Sequence, residues 1–326
     1  MLLENKVAVV TGGSRGIGLA AVKSFLQEGA AVVLCASRQE TADHAVAELK
    51  AELPDAVVEG ICPNLADAAA VQAAMDAVAA KYGKIDILVN NAGMSESTPF
   101  ASYTEELFDK TMNLNVKGVF NCAHAAAKWM AEQHSGVILN TSSVVSITGQ
   151  VTGAAYPTSK FAVNGFTLTL ARELGPQGIR VNAVAPGITE TDMMKAVPKE
   201  ILDPLIAQIP LRRLGQPEDI ANALVFLASE KAAYITGVVH QNVDLAVLCG
   251  NGVHSSLHGS GIGKVRADTL HHSLRQFGLQ LSHCVVGGLL TAGAQHHRSA
   301  LLQKGLDGRQ TDTTAAASDN CNFIFQ

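Results

Sequence analysis

Several features common in other protein classes are missing from this chain. There is no basic excess: 24 Lys and Arg stand against 29 Asp and Glu, a formal net charge of −5 with a pI near 6.1. A nucleic-acid or membrane-surface protein carries the opposite balance, so neither partner is expected. The first residues, MLLENKVAVVTGG, lack a basic segment followed by a long apolar stretch. Apolar runs such as Val7–Val10 are far too short to span a bilayer. No signal peptide and no membrane span are expected, and the default location is the cytoplasm. The six cysteines (Cys35, Cys62, Cys122, Cys249, Cys284 and Cys321) form no CxxC pair and keep no regular spacing. That predicts reduced, mostly buried thiols rather than disulfides or a zinc site. Charged residues make up only 16% against 48% hydrophobic, the reverse of a disordered chain, so a sizeable core follows.

What is present is an alternation. Short apolar, β-branched runs (Lys6–Val10, Ala31–Cys35, Val57–Cys62, Ile85–Val89, Gly136–Asn140 and Arg180–Val184) are separated by longer stretches. Ile17–Glu28, Thr41–Ala51 and Ala66–Tyr82 have helical character. Continuous apolar strands are buried on both faces, and their alternation with helices implies a parallel sheet covered by helices on both sides. Right-handed crossovers make that an α/β doubly wound fold. With no internal repeat, the 326 residues fit one large domain over residues 1–244 and an irregular extension over 245–326.

The boundary rests on further absences. No proline follows Pro217, no methionine follows Met194 and no glutamate follows Glu230, while eight of the eleven histidines lie from His240 onward. Gly250–Gly263 is rich in Gly, Ser and His without a period, and only Leu270–Leu281 could form a short helix. Two readings stay open: a poorly ordered extension, or a stretch never selected as protein, as after a frame shift near residue 240. The pairs His271–His272 and His296–His297 lack helical ligand spacing and an accompanying carboxylate cluster, so no metal is expected.

The segment Thr11-Gly12-Gly13-Ser14-Arg15-Gly16-Ile17-Gly18 joins the first strand to the first helix. Glycines there allow a tight turn and close approach of backbone to a ligand. The free N–H groups and the dipole at the helix start suit a pyrophosphate. A glycine loop alone is a weak signal; between a strand and a helix it is strong. At the end of the second strand, a carboxylate would bind the ribose 2′-hydroxyl of NAD and repel a 2′-phosphate. This chain has Ser37 and Arg38 instead, and Arg15 lies in the glycine loop. Two guanidinium groups can hold a phosphate, so NADP(H) is expected over NAD(H); the lesser alternative for each arginine is a solvated surface charge.

Further along come Asn90-Asn91-Ala92-Gly93 after the fourth strand, Asn115 within Asn113-Leu114-Asn115-Val116-Lys117-Gly118, and Ser142-Ser143 after the fifth strand. Thirteen residues after Ser143 comes Tyr156, then Pro157-Thr158-Ser159-Lys160. A helix beginning near Tyr156 puts Tyr156 and Lys160 on one face. An ammonium beside a phenol favours the phenolate, which lets a tyrosine exchange protons near neutral pH. A lone Tyr-xxx-Lys is common by chance; the ordered set is not.

That ordered set, with Pro186-Gly187 followed by Thr191, resembles the short-chain dehydrogenase/reductase family over about Lys6 to Gly237. The resemblance implies a Rossmann-like domain with a mostly seven-stranded sheet, and an enzyme interconverting ketones and secondary alcohols. Asn115, Ser143, Tyr156 and Lys160 match the family's catalytic tetrad. By that likeness Ser143 holds the substrate oxygen, Tyr156 exchanges the proton, Lys160 holds the nicotinamide ribose and tunes Tyr156, and Asn115 positions a water. Ser142, one place away, reads as structural. The implied cofactor contacts are Gly12, Ser14, Arg15, Gly16, Ile17 and Gly18 in the loop, and Ser37 and Arg38 at the second strand. They continue with Asn64 and Leu65, Asn91, Ala92 and Gly93, the pair Tyr156 and Lys160, then Pro186, Gly187, Ile188 and Thr191. Asn90 matches a position lining the cleft, and Ile188 one whose backbone meets the carboxamide.

The pattern departs from the family twice. Asn64 stands where an aspartate usually contacts the adenine amine; its oxygen can still accept that bond without the charge. After Ile235-Thr236-Gly237 and a strand over Val238–Asp244, the family-like sequence stops. In many members that end packs at a subunit interface, so a homotetramer or homodimer is expected unless the tail prevents it. Apolar residues between Thr189 and Leu214 (Met193, Met194, Val197, Ile201, Leu202, Leu205, Ile206) read as core or as a mobile substrate flap. A hydrophobic carbonyl or hydroxy compound follows. Tyr156-Pro157, Cys62-Pro63-Asn64-Leu65 and Gly118-Val119-Phe120-Asn121 are similar to bacterial hydroxysteroid dehydrogenases acting on bile acids. The alternatives are a 3-oxoacyl thioester reductase, a nicotinamide-binding sensor without catalysis, and an inactive product of the altered tail.

Overall fold

A computed structural model of the chain describes residues 1–191 and 199–241. Met193, Met194 and Val197, the side chain of Ile201, the strand residues beyond Gln241, the histidine pairs and the C-terminal extension therefore lie outside the described residues.

The sheet runs in the order β3-β2-β1-β4-β5-β6-β7, all neighbours parallel. Six strands have four or more residues: β1 (Val7–Thr11), β2 (Ala31–Cys35), β3 (Val58–Ile61), β4 (Ile87–Asn90), β5 (Gly136–Thr141) and β6 (Ile179–Ala185). The seventh, β7 (Val239–Gln241), is a three-residue edge strand beside Ala183–Ala185. Helices α1 (Gly16–Gln27), α2 (Gln39–Glu52) and α3 (Ala68–Tyr82) follow the first three strands. Then come α4 (Glu105–Met112) and α5 (Gly118–Glu132), joined by a π-helical turn over Asn113–Lys117. A short α6 (Val145–Thr148) and the long α7 (Ala155–Leu174) follow β5. Among the described residues, the six strands and three helices bounded from the sequence are present, with ends shifted by at most two residues.

Each central strand feeds two cores, because successive side chains point to opposite faces. Ala8 and Val10, Ile87 and Val89, and Val137 and Leu139 join a cluster with Phe25 of α1, Ala45 of α2 and the helix Pro217–Ala228. Val9, Leu88 and Ile138 face the other way, toward Met75 of α3, Ala126 of α5 and Leu174 of α7. Fully burying a Val, Leu, Ile or Phe is worth about 1.5–3 kcal/mol. This double burial is why the strands read as unbroken apolar runs. Cys35 and Cys122 are buried and Cys62 is exposed, all three free thiols.

The strand order reverses between β1 and β4: one half of the chain winds outward through β2 and β3, the other through β5 and β6. In such sheets a ligand crevice opens beyond the carboxyl ends of the strands at that switch point. The glycine loop, Asn91 and Ser143 all follow strands at this edge.

Candidate active site

The crevice is a cleft of about 520 Å³. Its floor is the glycine loop, where Gly12, Ser14, Arg15, Gly16 and Ile17 line it. Ala36 and Ser37 after β2, Cys62 through Leu65 after β3, and Asn91 to Gly93 after β4 form the walls. Thr191 closes one side; a Cβ on Gly16 would come within 3.5 Å of its methyl group. Gly12 has φ +66°, and a Cβ there would stand 2.9 Å from the Ala92 Cα. Gly18 lies one turn into α1 rather than in the cleft wall, and a Cβ on it would run into the Gly12 carbonyl oxygen. These glycines let loop, helix and the β4 end touch through backbone alone. Arg15 is the N-cap of α1 and makes no side-chain cap, so no capping side chain covers the helix start. The loop is tied down by main chain and by Thr11: its hydroxyl accepts from the backbone N–H of Asn91 and of Ala92, each at 3.0 Å. The Asn91 amide donates to the carbonyls of Thr11 and Gly12.

This cradle fits a dinucleotide. An uncapped helix start and close-packed glycines leave room and donors for a pyrophosphate, beside exposed Arg15. Ser37 lines the cleft, and Arg38 follows it as the N-cap of α2, outside the lining. Among the described residues neither Arg15 nor Arg38 joins an ion pair. Asn64 lines the cleft while its oxygen accepts the N–H of Ala66, which still leaves a lone pair.

Asn90 corrects one expectation. It does not line the cleft: it is buried in β4, donating to Asn140 at 2.9 Å, and Asn140 in turn donates to Thr167 of α7. Being the last residue of the strand puts its side chain on the sheet face covered by α7, and Asn91, one residue later, takes the cleft position. Pro186, Gly187 and Ile188 follow β6 beyond the cleft lining, where Pro186 accepts from the N–H of Val144 and Ile188 from that of Gly215.

The chemical end is built from side chains. Tyr156 and Lys160 occupy successive turns of α7, with the Lys160 Nζ 5.8 Å from the Tyr156 ring centroid. Lys160 is buried and donates to the Thr141 carbonyl at 2.7 Å. Desolvation pulls its pKa from 10.5 down to about 8. Burial pushes the Tyr156 phenol up, and the hydrogen bond with Ser143 pulls it back. Ser143 is therefore the group that offsets desolvation at the phenol here, in place of the lowering by the Lys160 ammonium expected from the sequence.

Asn115 sits in the π-helical turn, a feature concentrated at functional sites. Its side chain is fully engaged: the amide donates to the Met94 carbonyl at 2.8 Å and to the Ser159 hydroxyl at 3.0 Å, and the oxygen accepts from the Met94 N–H. Ser159 donates onward to the Tyr156 carbonyl at 2.6 Å. Asn115 thus ties the Gly93-Met94 loop to the first turn of α7, and a Cβ on Gly93 would stand 3.2 Å from its oxygen and 3.7 Å from the Lys160 Nζ. Ser142 faces α7 and bonds Asn164, in keeping with a structural role. Thr11, Ser146, Ser159 and Asn164 were not singled out from the sequence. Spacing from Tyr156 and Lys160 on α7 is the signal that points to Ser159 and Asn164.

A backbone cradle that fits a dinucleotide, beside a Ser–Tyr–Lys cluster, is the arrangement of a nicotinamide-dependent oxidoreductase acting on CH–OH groups, the class to which the following relatives point. A family model described as enoyl-(acyl carrier protein) reductase matches residues 12–244. The chain is 60% identical over 239 residues to a 3alpha-hydroxysteroid dehydrogenase of Mediterraneibacter gnavus, covering 73% of this chain and 96% of that protein. It is 41% identical over 239 residues to the 3-oxoacyl-[acyl-carrier-protein] reductase FabG of Thermotoga maritima, with the same coverage. The crystal structure of gox2181 superposes with a TM-score of 0.72 at 34% identity, covering 76% of this chain and 97% of that one. The chain belongs to the short-chain dehydrogenase/reductase family.

Proposed function

We propose that the protein is an NADP(H)-dependent enzyme interconverting the ketone and secondary alcohol of a hydroxysteroid of the bile-acid kind. The observation that carries this reading is the Ser143–Tyr156–Lys160 cluster, whose Lys160 lies next to Gly93 of the cleft wall, in a chain 60% identical to a 3alpha-hydroxysteroid dehydrogenase. The segment between Ser143 and Tyr156 adds support: it exposes the apolar side chains of Ile147 and Val151. Such a surface suits a hydrophobic substrate better than a small polar one.

In the reductive direction, the Ser143 hydroxyl donates a hydrogen bond to the substrate oxygen. Tyr156 Oη releases its proton to that oxygen as the alcohol forms, and the reverse holds for oxidation. Lys160, fixed by the Thr141 carbonyl, keeps a positive charge near the phenolate left behind. The nicotinamide, when bound, supplies or accepts the hydride. Gly12, Ser14, Arg15, Gly16, Ile17, Asn64, Leu65 and Asn91 to Gly93 would hold the dinucleotide, with Thr191 toward its nicotinamide end. Ser37, Arg38 and Arg15 would take a 2′-phosphate, since no carboxylate stands at the end of β2 to oppose one.

Reduction of 3-oxoacyl thioesters is the second reading, favoured by the reductases at 41–44% identity. The ratio of kcat/KM for a 3-oxo-steroid to that for a 3-oxoacyl thioester, measured with NADPH, separates the two. A ratio well above one is expected, and one well below it assigns the thioester reading. The same reading includes a cytoplasmic location and a homodimer or homotetramer. Support for assembly comes from the exposed face of α5 and α7, where Phe120, Phe161 and Leu168 stand in the open beside an apolar groove between Val116 and Phe166. Sedimentation of the full chain tests it: a monomer at micromolar concentration would refute the assembly.

A further inference from the structure

Lys160 has a neighbour one turn further along α7 that the chemistry above does not use. Asn164 is partly buried, and its amide is bonded at both ends. The Ser142 hydroxyl donates to the Asn164 Oδ1 at 2.6 Å. The Asn164 Nδ2 donates to the Ser146 hydroxyl at 2.7 Å. Ser146 then donates to the main-chain carbonyl of Ser143 at 2.6 Å. The three bonds run with one polarity, from Ser142 through Asn164 and Ser146 back to Ser143. The polarity is forced: the Ser146 proton is committed to the Ser143 carbonyl, so that hydroxyl must receive an N–H, and only the amide nitrogen supplies one.

The ring encloses the turn that carries Ser143. Main-chain bonds already fix its two ends, from the Ser142 N–H to the Val184 carbonyl at 2.7 Å and from the Val144 N–H to the Pro186 carbonyl at 2.9 Å. Those bonds tie the turn to β6 and the residues after it. The Asn164 bonds, at 2.6 and 2.7 Å, join the turn to α7, the helix that carries Tyr156 and Lys160, beside the longer 3.4 Å bond from the Ser142 hydroxyl to the Lys160 carbonyl and the Ser143–Tyr156 hydrogen bond. We propose that Asn164 is a positioning residue, which locks the Ser143 turn to α7 so that the Ser143 hydroxyl and the Tyr156 phenol stay in register for one shared substrate oxygen. The inference rests on the reading of Ser143 and Tyr156 as the proton-exchange pair. Catalytic geometry tolerates little drift, and a displacement of about 1 Å can cost up to about a hundredfold in rate.

Two variants test this. Asn164→Leu keeps the bulk and removes both bonds; Ser146→Ala leaves Asn164 in place and removes only the link to the Ser143 carbonyl. Each is expected to lower kcat about tenfold while leaving the KM for the nicotinamide cofactor unchanged. In each, ionisation of Tyr156, followed by phenolate absorbance with the Tyr156→Phe protein subtracted, is expected at higher pH, because the phenolate loses the Ser143 hydrogen bond. A Ser143→Ala protein should show the same displacement, and adding Asn164→Leu to it should change neither the rate nor the titration further. If both single variants titrate like the wild type, or if the double variant is additive, Asn164 is only a packing residue and the proposal falls. The titration needs no substrate. A wild type that reduces no ketone would therefore sink the assigned function, while the phenol titration would still decide the role of Asn164.

Discussion

At the β1 end of the sheet edge the site is shaped by main chain: Gly12 and Gly18 permit contacts that a Cβ would block, Gly16 takes a φ of +54°, and no side chain caps the helix start. At the β5 end it is shaped by buried polar side chains: Asn115, Ser143, Ser159 and Lys160 are each buried, and each is hydrogen-bonded. The two ends therefore fail differently. Added bulk closes the first, whereas lost hydrogen bonds or protons disable the second. A buried donor or acceptor left unpaired costs about 1–3 kcal/mol, so the second end also couples chemistry to stability.

The largest expected effect belongs to the side-chain end. Tyr156→Phe should lower kcat by about 10²- to 10⁴-fold, the usual weight of a positioned proton donor, while cofactor affinity, read by nicotinamide fluorescence, stays near wild type. Retained turnover would remove Tyr156 from its role. Next comes the main-chain end: Gly18→Ala forces the Gly12 carbonyl to move, and should destabilise the fold by about 1–3 kcal/mol in urea unfolding and weaken the cofactor with little change in kcat at saturation. Wild-type stability and affinity would show that the glycine contact is slack. Arg38→Ala should weaken NADPH about tenfold, the weight of about 1.4 kcal/mol, and leave NADH nearly unchanged; equal losses would refute the 2′-phosphate assignment.

A last prediction concerns stability rather than activity, and falls on Lys160 in the cofactor-free protein. Its pKa is depressed on folding, so between about pH 8 and the ordinary 10.5 the unfolded chain binds the extra proton. Stability must then rise with pH across that window, and the gain is lost as pH falls through the folded value near 8. Lys160→Met should abolish this rise. Urea midpoints at pH 8 and pH 10 report it, and identical slopes in both proteins would place the lysine in water.

The same contrast explains what the sequence made legible. Glycines advertise a backbone-built site, because few other reasons place Gly12, Gly16 and Gly18 between a strand and a helix. Six strands were visible as apolar runs, since both faces of each are covered. Ser143, Tyr156 and Lys160 were legible by their order and their family likeness, and the structure brings them together. Their partners were less so: nothing in the local sequence around Ser146 or Asn164 reveals that three hydroxyl and amide groups meet across a turn and a helix. Asn90 was misplaced for a related reason, because a one-residue step at a strand end exchanges the covered sheet face for the cleft. The π-helical turn at Asn115 was read only as helical, since a local change in hydrogen-bond register leaves no mark on side-chain periodicity.

The most direct test of the account is NADPH consumption by the full chain, its folding first verified by a cooperative urea transition, when offered a panel of oxo-steroids and 3-oxoacyl thioesters. The account predicts turnover of an oxo-steroid. A folded protein that oxidises NADPH with none of these ketones would contradict it.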